Sequence, residues 1–215
     1  MFYSLQGSVG QIARRLLLYL GVGSVVAIAA LIWNGSVAAD EKSKAEAAAI
    51  VADLDDIERL RALNPLKLEP DQLDKLVAAL TKAQTEYDTK INTLGMSIFG
   101  SSAAEARDVK KQALVGTPIP KDFDDKVKRL QTEFLKQRDT INTNNITHVA
   151  DLCKMVLTDK QVAVATKLER DQWEKDHPDI KNATDAQLYN LYCLDVFISG
   201  SRTVALLKEM RAAAK

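Results

Sequence analysis

Apolar residues recur every three or four positions through most of residues 40–215, and proline or glycine interrupts the pattern at intervals. This spacing puts the apolar side chains on one face of an α-helix. No stretch alternates as a β-strand does, apart from short ambiguous runs. The pattern therefore predicts an all-α domain, with helices at about 40–63, 70–99, 121–156, 159–176 and 185–213 and a shorter one at 103–115.

Two of these helices are unusually long. Apolar residues of the 70–99 helix follow a four-three spacing broken only at Gln84, which is typical of a coiled-coil seam. The 121–156 helix would extend for roughly 54 Å at 1.5 Å per residue. Because Gly116 to Pro120 breaks the chain between them, the sequence predicts a long antiparallel helical hairpin with additional helices around it.

The first 39 residues differ from the rest. Residues 1–15 end in Arg14 and Arg15, and residues 16–33 contain no charge. Residues 16–39 suit either a secretory signal peptide, cleaved after the small residue Ala39, or an uncleaved transmembrane anchor. We expect residues 1–15 in the cytoplasm and, by the positive-inside rule, the helical domain 40–215 outside it. The predicted location is the cell envelope, with the domain periplasmic and either soluble after cleavage or anchored in the inner membrane.

Charge argues against one class of function. Arg14 and Arg15 are the only charged residues of 1–39, which leaves 27 basic and 29 acidic residues in 40–215. Binding to nucleic acid relies on a basic face that displaces counterions from phosphates. A near-neutral, slightly acidic domain gives no support for it, and we expect no nucleic-acid partner.

Three helix starts share a capping pattern. Thr158 and Gln161 form a predicted capping box, in which each side chain satisfies a backbone N–H at the other position. Thr184 and Gln187 form another. Glu69 precedes Pro70 in a variant that has Gln72 at the third helical position. Such boxes begin helices of every function, so taken singly each predicts architecture alone.

Taken together, the segments Leu66 to Gln72 and Val156 to Gln161 resemble the LTxxQ motifs of the Spy/CpxP/ZraP family of small all-helical periplasmic proteins. The resemblance covers roughly residues 60–170, and Glu69 stands where the motif has threonine. It implies a homodimer of curved hairpins whose concave surface holds unfolded client proteins, or senses envelope stress or metal, without ATP.

Two cysteines allow two interpretations. In an oxidising compartment Cys153 and Cys193 could form a disulfide, which would close a loop of about 41 residues and contribute ~4 kcal/mol in the chain-entropy model. Both also lie among apolar neighbours, as buried free thiols do. No CxxC motif supports thiol exchange.

Signals for catalysis or cofactors are weak. No nucleophile elbow or phosphate-binding glycine loop occurs, and we expect no enzymatic activity and no cofactor. His148 falls on the apolar stripe of the 121–156 helix, where a metal ligand in a symmetric pair, a pH-sensitive group and an ordinary interface histidine are all compatible with the position. We expect no dedicated metal site.

The prediction of function therefore rests on three features: the N-terminal export segment, the long helical hairpin and the paired LTxxQ-like motifs. The first hypothesis is a non-enzymatic periplasmic binding protein of the stress-chaperone or sensor type, whose partners are unfolded or folded proteins. The alternative is an accessory subunit of a membrane complex, held by residues 16–33. The candidate partner face lies between the two long helices and includes a basic group: Lys121, Lys126, Lys128, Arg129, Lys136 and Arg138.

Overall fold

The computed structural model describes residues 41–176, 183–200 and 202–214, and these are helical, with no strand. The all-α prediction is confirmed. The α-helices are α1 (Glu41–Leu63), α2 (Pro70–Phe99), α3 (Ala103–Leu114), α4 (Lys121–Val156), α5 (Asp159–Asp176), α6 (Asp185–Tyr192) and α7 (Thr203–Ala213). Short 3₁₀ turns at Asn64–Leu66 and Gly100–Ser102 precede α2 and α3, and a π-helical segment, Cys193–Ile198, follows α6.

Helix α1 belongs to a separate unit, which ends at Leu63. It ends where Pro65 would interrupt the helix. Ile50, Leu54 and Ile57 lie at helical spacing on this helix and are each about half exposed.

The second unit, residues 64–215, is organised by the hairpin of α2 and α4. The 36 residues of α4 match the predicted length. The two helices are antiparallel, because Tyr87 of α2 bonds to Asn142 of α4 and Phe99, at the end of α2, packs on Phe134 with ring centroids 5.3 Å apart.

The core of this unit lies at one end of the hairpin, where α5, α6, the π-helical segment and α7 pack near the start of α2 and the end of α4. Its buried apolar side chains include Leu73, Leu76, Leu80, Val149, Ala150, Cys153, Leu188, Tyr189, Tyr192 and Leu207. Farther along the hairpin the apolar side chains of α4, such as Phe123, Val127 and Phe134, are only half-buried. We call the part of the hairpin from Gln84 to Asn142 the distal arm.

The predicted helix at 185–213 is wrong in one respect, because it is not continuous. The chain forms α6, then the π-helical segment, then a break before α7. The Ser199 N–H donates to the Leu194 carbonyl, five residues back. The buried Thr203 hydroxyl donates to the Val196 carbonyl and so bridges the break. Gly200 lies in this break, and apolar periodicity alone did not reveal it.

Within the described ranges, no helix combines the length and the apolar character that crossing a bilayer requires. The predicted signal or anchor, residues 16–39, lies outside the described residues, as do residues 1–15.

Candidate functional site

The two LTxxQ-like motifs meet at the base of the hairpin. Gln161 accepts the Thr158 N–H at 2.8 Å, and the Thr158 hydroxyl accepts the Gln161 N–H at 3.3 Å. Gln72 likewise accepts the Glu69 N–H at 3.1 Å. Each glutamine thus sits at the third position of its helix and caps it, as the sequence predicted.

The same two glutamines also bond to each other across the hairpin. The Gln72 amide nitrogen donates to Gln161 Oε1 at 2.9 Å, and the Gln161 amide nitrogen donates to Gln72 Oε1 at 3.0 Å. The remaining amide hydrogens go to backbone carbonyls, from Gln72 to Val156 at 3.0 Å and from Gln161 to Leu66 at 2.9 Å. We call this four-bond arrangement of Gln72 and Gln161 the glutamine clasp.

Each glutamine of the clasp donates to a backbone carbonyl that lies just before the other glutamine's motif. Val156 ends α4 immediately before the Thr158 box, and Leu66 lies just before the Glu69 box. Between Leu66 and Leu68, Lys67 has a φ of 49°, a left-handed conformation that a non-glycine residue rarely adopts. The clasp therefore joins the start of α2 to the end of α4 and the start of α5 at the base of the hairpin, with local pseudo-symmetry. The sequence predicted the caps but not the pairing, because an i to i+3 pattern carries no information about a partner 89 residues away.

The third box does not take part in the clasp. Thr184 and Gln187 make the same reciprocal bonds, at 2.8 and 3.3 Å, at the start of α6. The neighbouring Asp185 carboxylate pairs with Arg170 of α5 at 2.9 Å. Gln187 is thus a capping glutamine whose described hydrogen bonds are local.

The predicted basic group does not form one face. At 100° per residue, its six positions spread over about 240° of the circumference of α4. Lys126 pairs with Glu105 at 2.6 Å and Lys128 with Asp124 at 2.6 Å, whereas Arg138 is half-buried near Tyr87. Lys121, Arg129 and Lys136 are exposed. Periodicity placed these residues on one helix but did not bring them together.

His148 points toward the opposite helix of the hairpin. Its Nε2 lies 3.5 Å from Glu86 Oε2 of α2, and both side chains are partly exposed. Among the described residues, no group of three or more histidine, cysteine, aspartate or glutamate side chains could hold a metal ion. His148 is therefore placed in a cross-hairpin pair with Glu86.

The structure brings the two cysteines together. Cys153 of α4 and Cys193 of the π-helical segment are buried free thiols. A hydrogen bond to Cys193 and burial together raise the pKa of the Cys153 thiol well above its usual range. The disulfide stays a prediction.

Tyr189 completes this buried cluster. Burial, with the nearby thiols as a smaller cause, raises the pKa of its hydroxyl, and the Lys154 ammonium lies 5.1 Å from the centre of its ring. The π-helix, which brings Cys193 to this cluster, has no clear sequence signal.

Exposed apolar side chains concentrate away from the core. Met96 of α2 is 73% exposed, and Leu114 and Val115 at the end of α3 are 76% and 82% exposed. Ile119, in the loop before α4, is 58% exposed. The distal arm and the adjoining α3 loop therefore present apolar surface that the described chain leaves uncovered.

Comparison of the chain with protein-family models, with curated proteins and with solved structures found no match.

Proposed function

We propose that this protein is a non-enzymatic helical binding protein of the cell envelope that holds unfolded or partner proteins on the distal arm of its hairpin. The observation that carries the proposal is the contrast between the two ends of the hairpin. Its base is closed by the glutamine clasp and a packed core, whereas its distal arm leaves apolar side chains half-buried or exposed. The resemblance of both motifs to the Spy/CpxP/ZraP family supports the same proposal.

A rigid base and an open arm suit this role physically. Burial of apolar surface contributes about 25 cal/mol per Å² without demanding a particular sequence in the partner. Arg138, half-buried on α4 near Tyr87, supplies charge beside this surface. Patches of apolar and charged groups bind segments of varied sequence, which is what a holding protein requires.

The test is suppression of aggregation by the full chain, expressed with its native N-terminus and purified with detergent where it stays in membranes. The full chain at near-stoichiometric amounts should suppress light scattering by a chemically denatured client without ATP. Met96→Glu, on the distal arm, should weaken the suppression several-fold. Met155→Glu is the matched control, because Met155 is 75% exposed but lies at the base of the hairpin.

Equal activity of both variants would place client binding elsewhere, and no suppression by the unaltered protein would reject the proposal. Light scattering coupled to size exclusion also measures whether the protein is the homodimer that the resemblance implies.

An accessory subunit of a membrane complex is the alternative, and one observation favours it. Ile50, Leu54 and Ile57 form an exposed apolar stripe at the i, i+4, i+7 spacing by which one helix docks on another. Intact mass and cell fractionation distinguish the two. A chain starting at Asp40 in the soluble periplasm opposes the subunit role, and a full-length chain migrating with larger partners in detergent supports it.

A further inference from the structure

We propose that the loop between α3 and α4, with the helix ends that flank it, docks on a bilayer surface rich in anionic lipid. The proposal concerns residues 109–121, which we call the tip. It goes beyond the proposed holding function, because it assigns a lipid partner to a surface outside the α2–α4 face.

The tip presents apolar side chains outward. Leu114, Val115 and Ile119 are the most exposed apolar residues of this region, and together they occupy a six-residue stretch. Their surface continues into a shallow recess of about 410 Å³, lined by Val109, Ala113, Phe123 and their neighbours. A contiguous patch of exposed apolar side chains is typical of a surface that contacts a protein or a membrane.

Most backbone N–H groups of the tip loop are already hydrogen-bonded within the chain. Gly116, with a φ of 89°, ends α3 in a Schellman turn in which Gly116 donates to Ala113 at 3.1 Å and Thr117 donates to Gln112 at 3.1 Å. Val115 donates to Gln112 at 3.2 Å.

Pro118 and Pro120 have no N–H, so five of the six residues 115–120 offer water no free backbone donor. Unsatisfied backbone N–H and C=O groups both cost free energy when a loop enters an apolar phase, and residues 115–120 keep the N–H part of that cost small.

The charges of the tip fit an anionic surface. Residues 109–121 contain Lys110, Lys111 and Lys121 and no acidic residue, and Asp108 and Asp122 adjoin them at either end. All three lysines are exposed, although Lys111 also lies 3.9 Å from Asp108. Lysines that flank exposed apolar side chains favour a lipid headgroup layer, where the ammonium groups meet phosphates while the apolar groups enter the acyl boundary.

A membrane is also the partner that the N-terminal sequence predicts to be near, since residues 16–33 suit an export signal or anchor. An unfolded protein is the competing occupant, and it would need no anionic charge. The experiment separates the two.

The test attaches the environment-sensitive dye NBD to Ile119→Cys in the full chain. Its readout is local, so it applies whether or not the N-terminal segment holds the protein in the membrane. The native cysteines are buried and the pKa of Cys153 is raised, so the introduced thiol reacts selectively. The matched control is the same dye at Leu135→Cys, an exposed leucine of the distal arm outside the tip.

With vesicles of equal phosphatidylglycerol and phosphatidylcholine, the dye at position 119 should shift to the blue and be quenched by lipids that carry a spin label near the interface. The dye at position 135 should stay in water. Each lysine contributes about 1 kcal/mol at an anionic surface, or roughly 5-fold in partition, so replacing all three tip lysines by glutamine should weaken docking about 100-fold. The matched triple variant Lys75→Gln, Lys160→Gln, Lys167→Gln should have a much smaller effect, and 0.5 M salt should weaken docking of the unaltered tip.

Three outcomes would overturn the proposal. They are no shift with any vesicle, an equal shift with phosphatidylcholine alone, and a shift produced by a denatured client but not by vesicles. Because suppression of aggregation is measured without lipid, failure here leaves the holding function standing, and failure there leaves lipid docking standing.

Discussion

The glutamine clasp makes a quantitative prediction, because the chain contains a matched control for it. Gln161→Ala removes the acceptor that caps α5 and the amide nitrogen that bonds to Leu66 and Gln72. Gln187→Ala removes only a cap of the same type. The difference between the two substitutions therefore measures the clasp without the cap.

The magnitude follows from the bonds that are lost. The bond that Gln187 accepts from the Thr184 N–H contributes about 1 kcal/mol to the free energy of unfolding, and we expect that loss for Gln187→Ala. Gln161→Ala loses in addition two donated bonds and the one accepted from Gln72, at about 1 kcal/mol each before water replaces part of them. Both glutamines are only partly buried, so we expect Gln161→Ala to cost about 3 kcal/mol in total.

Equilibrium urea unfolding, followed by circular dichroism, measures these free energies. A double-mutant cycle with Gln72→Ala should give a coupling energy of about 1–2 kcal/mol, since the two reciprocal bonds are lost in either single variant. Gln161→Glu is a further test, because it keeps the size and the acceptor but cannot donate when ionised. It should lose the two bonds that Gln161 donates, to Leu66 and to Gln72, which are half of the clasp.

Two results would contradict this prediction: a cost of Gln161→Ala no larger than that of Gln187→Ala, or a coupling energy with Gln72 near zero. Either result would mean that water replaces the clasp without loss and that the two motifs act as independent caps.

Three further predictions concern other contacts of the second unit. Tyr87→Phe removes the 2.8 Å bond to Asn142 across the hairpin and should lower the free energy of unfolding by about 1 kcal/mol in urea, whereas no change would show that water substitutes for the hydroxyl. Gly116→Ala places a side chain at a φ of 89° in open space, so backbone strain alone should lower the melting temperature, at a cost of about 1 kcal/mol; an unchanged melting temperature would contradict the turn. Because the pKa of Cys153 is raised in the folded protein, its contribution to stability is complete below the unfolded thiol pKa of about 8.5 and is lost as pH rises toward the folded value. With reductant present, the free energy of unfolding should therefore fall by about 1 kcal/mol between pH 8 and 9.5. The fall should be smaller in Cys153→Ala. An equal fall in both proteins would assign the effect to other groups, and mass spectrometry without reductant tests the disulfide with Cys193.

The helical framework could be predicted from sequence because its signals are local. Apolar spacing and the proline and glycine breaks gave α2 and α4 their bounds, and Thr158 and Thr184 marked helix starts through bonds to residues three positions away. Such bonds depend on neighbours in the chain, which the sequence displays directly. The all-α class and the capping boxes were accessible for this reason.

Tertiary packing decided the features that join distant parts of the chain. Gln72 and Gln161 are 89 residues apart, and only the antiparallel register of α2 and α4 turns two local caps into one clasp. Cys153 and Cys193 become neighbours only because the π-helical segment packs against α4. The basic residues of α4 are close in sequence but lie on different sides of the helix, because each residue is rotated by about 100° from the one before it. Sequence alone therefore determined which helices form, whereas packing determined which of their polar groups meet, because those contacts depend on interhelical register and side-chain direction.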